Sequence, residues 1–157
     1  MKGSVFKVCG LWLSALFLSF IPLTPIVAES AEKITLRDRL EPNLIYLEGM
    51  SGGEIEAEEV VDTEDTATGF CNGFIDRKPN HVLILKDFFE FLKIEVDSPT
   101  DTTIVVEGPG GVWCNDDSTN ADPAMEGQWQ AGKYKIWIGS YLEETRNYYR
   151  IKITDEN

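Results

Sequence analysis

Histidine is nearly absent from this chain: His81 is the only one in 157 residues. It follows Pro79-Asn80 at the head of an apolar stretch, a setting that suits a structural hydrogen-bonding group better than a catalytic base. No Cys-x-x-Cys or Cys/His cluster occurs, which argues against a zinc site. The Gly-x-Ser-x-Gly elbow and the His-Glu-x-x-His helix are missing, and so are the glycine-rich phosphate loops. These gaps remove the familiar nucleophilic, metallopeptidase and nucleotide chemistries. Carboxylates are so abundant that a glycosidase-like pair cannot be recognised by number alone. The chain is therefore expected not to be an enzyme. The alternative is a small secreted hydrolase, or an inhibitor or maturation factor that works on a peptidase.

Positive charge is also scarce. Fourteen lysines and arginines face 27 acids, for a net charge of −13. The first 28 residues carry Lys2 and Lys7 and no acid, so the remainder stands at −15. Nucleic acid and anionic membrane surfaces both require a basic footprint, so neither is expected as a partner. The same charge favours solubility and cationic partners.

One long apolar run exists, Val8 to Leu23, behind Lys2 and Lys7, interrupted at Pro22 and followed by Pro25. It is short for a membrane span, which needs about 20 apolar residues, and it has the layout of a secretory signal peptide. Cleavage is expected after Ala28 or after Ser30, giving a secreted or periplasmic protein with no remaining membrane span. Removing Cys9 leaves Cys71 and Cys114, 43 positions apart. In an oxidising compartment an even pair implies one disulfide, stabilising the fold by roughly 4 kcal/mol through loop closure.

Three regions follow: residues 1–28 as the signal, 29–67 as an acidic N-terminal extension, and 68–157 as the folded domain. The extension has one strand candidate near 43–48. From Glu54 to Asp65 it holds seven acids and no base. That stretch suits a solvated loop or a single helical turn, and it lacks the ligand spacing of a calcium loop.

Beyond Thr68 no helical stripe appears. Leu92, Ile94 and Val96 alternate with Lys93, Glu95 and Asp97, the period of a half-buried strand. Tyr134, Ile136 and Ile138 repeat the pattern, as do Tyr149, Ile151 and Ile153. Thr102 to Glu107 is β-branched, Gly108-Pro-Gly-Gly reverses the chain, and Ala131-Gly132 has the composition of a hairpin turn. Residues 116–127 look like a loop. Short strands punctuated by turns imply an all-β fold, an antiparallel β-sandwich of jelly-roll-like kind.

Two constellations could carry a binding role. Asp101, Asn115, Asp116, Asp117 and Asp122 supply oxygen ligands of the type calcium takes, or they form Asx turns that bond their own backbone. Trp113, Trp137 and Tyr141, with Tyr148, offer rings that either stack on a sugar or protein ligand or serve as packing.

The run Asp101-Thr-Thr-Ile-Val-Val, then Gly108-Pro-Gly-Gly, Cys114-Asn-Asp-Asp, the Asp122-Pro123 step and Gly132-Lys-Tyr-Lys-Ile-Trp-Ile-Gly-Ser140 resembles the bacterial pre-peptidase C-terminal domain family. The resemblance spans roughly Thr68 to Thr154. It implies a β-sandwich accessory module of exported proteins, some members of which bind calcium. Here the module stands without a peptidase, and the Cys71/Cys114 pair would mark a subgroup.

Overall fold

The computed structural model describes residues 31–37, 39–40, 43–117 and 122–156. The expected signal segment lies outside the described residues. In chain order the elements are β1 (Glu32–Leu36), β2 (Leu44–Met50), β3 (Ile55–Glu56), α1 (Ala57–Val61), β4 (Asp65–Thr66), β5 (Gly69–Phe70) and β6 (Phe74–Ile75). They continue with β7 (His81–Leu85), β8 (Phe89–Asp97), β9 (Thr102–Gly108), β10 (Gly111–Asn115), β11 (Ala124–Trp129), β12 (Gly132–Ser140) and β13 (Tyr148–Thr154). Among the described residues the fold is all-β apart from one five-residue helix.

Strands gather into two main sheets and a small β4-β5 hairpin. The first sheet is centred on β12, which pairs with β7 through residues 132–136 and with β9 through residues 135–140. β10 extends it beyond β9, β1 extends it beyond β7, and β6 and β3 join at the far end of β12. The second sheet runs β11-β8-β13-β2. Every pairing is antiparallel except β1 with β7, which is parallel.

Alternation decides which side chains meet. Leu83, Leu85, Ile104, Val106, Tyr134, Ile136 and Ile138 come from one face of the first sheet. Leu47, Leu92, Ile94, Val96, Ile151 and Ile153 come from one face of the second. All belong to a single buried cluster. Each large side chain contributes roughly 1.5–3 kcal/mol on leaving water.

The opposite face of the first sheet is covered as well. Ala57, Cys71, Ile75, Val105, Cys114 and Trp137 form a second buried cluster, with Val60, Val61 and Val112 against it. This explains why Thr102 to Val106 is buried at five consecutive positions: a strand covered on both sides loses its alternation. The acidic stretch supplies the cover. Its apolar residues Ala57, Val60 and Val61 turn inward or pack along the cluster, and its acids stay outside. Asp62 ends α1 in a left-handed conformation, with φ 53°. Cys71 and Cys114 are joined by a disulfide, which fastens this cover to β10.

Several expectations need correcting. Residues 32–36, expected within a polar extension, form β1 and pair with β7. The strand expected near 43–48 is present as β2, as expected, and is a full partner of β13 over seven residues. Part of the loop expected at 116–127 is strand, since β11 begins at Ala124. Ala131-Gly132 does not close a hairpin: β11 lies beside β8 in one sheet and β12 beside β7 in the other. The turns after β7 and β8 likewise carry the chain from one sheet to the other. Turn composition reports a reversal, not which strands pair across it.

Candidate functional site

The acidic loop is set by one hairpin. β9 and β10 pair from Gly108↔Gly111 to Ile104↔Asn115. The start of β9 and the end of β10 therefore lie at the same end of the sheet, which brings Asp101 toward Asp116 and Asp117. Asp101 is held above the usual carboxylate range, first by desolvation and then by the charges of Asp117, Asp116 and Asp122. Asp122 is also raised by desolvation, against a hydrogen bond from the Ser98 backbone N–H, and the charge of Asp97 adds to the rise.

Much of the oxygen set is already engaged. Asn115 Oδ1 accepts from the Ala124 N–H at 3.2 Å, and its amide donates to the Thr68 and Asp117 carbonyls. Asp116 Oδ2 accepts from Asn72 Nδ2 at 2.8 Å. These bonds fasten the loop to β5 and β11. Among the described residues no three His, Cys, Asp or Glu side chains are grouped closely enough to hold a metal ion.

The aromatic candidates separate. Trp137 is buried, with 2% exposure, within the second cluster. It points away from Ile136 and Ile138 as alternation requires, but that face is covered, so Trp137 is not a surface contact. Lys135 Nζ sits 5.9 Å from its ring. Tyr141 is exposed, beside a shallow recess that Glu56, Glu58 and Asn72 also line. Tyr148 is exposed on the outer face of the second sheet, where Arg150 lies 5.5 Å over the Tyr46 ring.

Trp113 leads to a site with more walls. It pairs with Val106 on the inner face of β10 and packs against the main core. Among the described residues neither β10 nor β11 has a strand partner on its outer side. Between these edges lies a recess of about 140 Å³, lined by Trp113, Trp129, Tyr134, Met125, Val106, Thr68, Glu126, Gly127 and Gln128. The Trp129 and Tyr134 rings pack with centroids 4.9 Å apart and planes tilted by 58°. Their polar atoms are spent internally: Trp129 Nε1 donates to the Leu92 carbonyl at 2.9 Å and Tyr134 Oη to the Gln130 carbonyl at 2.9 Å. Register slips between Gly127 and Trp129, a bulge beside the recess. Tyr134 was missed in the sequence because it belongs to an alternating strand and reads as core, and Trp129 because it sits in a short piece between a stretch that reads as a loop and a turn. The bulge glycine at 127, with φ 140°, was the available signal.

A larger cleft of about 410 Å³ opens at the opposite side, where β1 and β7 face β2. His81 lies at its base with 2% exposure. Its Nε2 is 2.7 Å from the Tyr149 hydroxyl, and its Nδ1 is 3.4 Å from Glu32 Oε2. Burial pushes the imidazole down to about 4, so it is neutral near pH 7. Gly49 permits this contact, because a Cβ there would stand 2.4 Å from the Tyr149 hydroxyl. Arg146 and Asp76 close one side with a two-bond ion pair.

Among known proteins, an uncharacterized protein of Synechococcus elongatus is 28% identical over 137 residues, covering 84% of this chain and 92% of that protein. No family model matches the chain, and no solved structure matches it significantly.

Proposed function

We propose that this protein is an exported, non-catalytic binding module, built as a face-to-face β-sandwich like the domains its motifs resemble, and that it presents the recess between β10 and β11 to a protein or carbohydrate ligand. The observation that carries this reading is the character of that recess. Three aromatic side chains wall it, and the polar atoms of two are committed to internal hydrogen bonds. Such a surface can bind by contact, and its one carboxylate, Glu126, is exposed and paired with Lys93. The other concave site argues in the same direction. His81 is buried, neutral and bonded to Tyr149 across the two sheets, an arrangement that suits a structural tie. Affinity electrophoresis through polysaccharide gels, paired with capture of secreted peptides, tests the reading. Retardation or capture that disappears in Trp113→Ala supports it; a ligand bound equally by that variant places the binding surface elsewhere.

Calcium belongs to this reading as a stabiliser of the loop at the other end of β10. The specific observation is that Asp101 is raised first by desolvation and then by the charges of three neighbouring carboxylates, a repulsion that a bound cation would relieve. A specific site raises the melting midpoint in step with calcium concentration. No shift at millimolar calcium, with magnesium as control, would remove it.

A further inference from the structure

We infer that β2 pairs with the β2 of a second copy of this chain, antiparallel and centred on Leu47, so that the second sheet runs on through two molecules. Among the described residues the edges of the two main sheets are β1, β3 and β10 in the first and β11 and β2 in the second. An uncovered edge offers backbone donors and acceptors to any other strand, and proteins blunt it with short strands, charges, bulges or covering groups. The edges other than β2 are blunted. β3 has two residues. β10 is closed at Cys114, whose N–H and carbonyl are taken by Thr66 and Thr68. β11 has its register broken between Gly127 and Trp129, and its Ala124 N–H donates to Asn115 Oδ1. β1 is five residues long and carries Glu32 and Lys33, both exposed. β2, in contrast, keeps seven residues in unbroken register with β13 and contains neither proline nor lysine. A side chain caps it at its last residue, where Asn80 Nδ2 donates to the Met50 carbonyl.

The occupant follows from the residues of β2, which are complementary to themselves. Leu47 is buried in the main core and Ile45 packs against it, so Leu44, Tyr46, Glu48 and Met50 share the other face. A two-fold axis at Leu47 sets Leu44 opposite the second copy's Met50 and Tyr46 opposite its Glu48. On the inner face it sets Ile45 opposite Gly49. An axis at Glu48 would instead put two glutamates directly opposite, a destabilising pair, and an axis at Tyr46 would leave Met50 beyond the paired stretch. The charge on this edge is compensated within each molecule, since Glu48 accepts from Arg150 at 3.0 and 3.1 Å. Apolar surface gathers at the same place. Tyr46, Met50 and Tyr148 are about half exposed, and Met50 and Tyr148 are cross-strand neighbours.

Size and charge set the strength. Seven residues span about 24 Å of strand, so the contact falls short of the roughly 1,200 Å² at which standard interfaces begin, and the dimer is a transient one. Each copy carries −13, and that long-range repulsion is screened by salt while the pairing itself is not. Association therefore tightens as salt rises. β11 lies at the other edge of the same sheet, so the recess beside β10 stays open on both copies.

Sedimentation equilibrium of the purified protein, from micromolar to millimolar at low and high salt, tests this. The expected result is a monomer–dimer equilibrium that salt strengthens. Tyr46→Glu sets like charges opposite at two symmetric positions and should weaken the dimer by roughly 10-fold or more. Tyr46→Lys faces Glu48 in this register and should keep the dimer. Tyr141→Glu adds the same charge away from β2 and should change it little. If Tyr46→Glu does not fold, Met50→Glu, opposite Leu44, takes its place with the same loss expected. A monomer at every concentration and salt overturns the inference, as does a dimer that survives the glutamate variants or that Tyr141→Glu weakens equally. Loss of the dimer in both Tyr46→Glu and Tyr46→Lys overturns the register centred on Leu47.

Discussion

The two faces of the central sheet are buried by different means. Toward the second sheet, 19 buried residues form one cluster, fed by long strands whose alternation aims an apolar side chain inward at every second position. On the outer face six hydrophobic residues form the second cluster, under a layer made of a five-residue helix and the short segments that follow it. The first cluster holds itself together by area. The second is too small for that, and its cover carries seven acids between Glu54 and Asp65 with no base among them. A crosslink makes up the difference. The disulfide joins Cys71 of the cover to Cys114 of β10, and short side-chain bonds run beside it. Thr66 Oγ1 accepts from the Cys114 N–H, and Thr68 Oγ1 donates to the Cys114 carbonyl. Those two threonines also satisfy backbone groups of an edge strand, which protects it from pairing with another chain.

Cutting the crosslink is the strongest way to break this asymmetry. The Cys71→Ser/Cys114→Ser pair should lose roughly 4 kcal/mol, the value for a closed loop of this length, read from chemical denaturation. Trp137 reports on the cover and Trp129 on the main core. If the cover depends on the crosslink as argued, the Trp137 signal in the double variant moves at lower denaturant than the far-ultraviolet signal of the sheets. Coincident transitions would mean that the two clusters form one cooperative unit.

Acid probes the main cluster at its His81 edge. The folded imidazole sits near 4, below its ordinary 6.5, so the unfolded chain takes the proton first as pH falls. The stabilising contribution is complete above about pH 6.5, shrinks through that window and is gone near pH 4, a swing of roughly 3 kcal/mol. The Glu32 carboxylate at 3.4 Å from Nδ1 would receive the proton's charge and reduce the swing. Urea midpoints for the wild type and His81→Gln between pH 7 and 4 measure it. The variant should show a shallower slope, and identical slopes would show that His81 does not titrate with unfolding. Smallest of all is Lys135→Met. The Lys135–Glu107 pair lies at 3.0 Å on the rim of the covered face, with both side chains 41% exposed. Its removal should cost under about 1 kcal/mol and leave the Trp137 transition unchanged. A larger loss would show that the rim, and not the crosslink, holds the cover.

Legibility along the chain follows the same division. Leu92, Ile94 and Val96 were legible as one face of a strand because the period of two is local. The same holds for Ile136 and Ile138, and for the placing of Trp137 on the face opposite to them. What covers Trp137 was not legible. Ala57, Val60 and Val61 are too few, and too interrupted by glutamates, to announce an inward face before the sheet is present. β1 escaped notice for a similar reason. Glu-Lys-Ile-Thr-Leu is short and polar, and only its parallel pairing with β7 fixes Leu36 in the core. At the candidate sites, Trp113 stood out for its size beside a glycine turn. Trp129 and Tyr134 did not, since two strands from different sheets must meet before their rings form a wall.

Composition and periodicity alone determined an acidic, all-β protein with few catalytic residue types and three cysteines. Those properties depend on residue identity and on spacing of a few positions, so they survive without tertiary context. The meeting of His81 with Tyr149, the burial of Trp137 beneath an acidic layer, and the gathering of Asp101 with Asp116 and Asp117 were decided only by the tertiary structure. Each depends on which strands lie side by side, and that is fixed by the joint burial of residues dozens of positions apart.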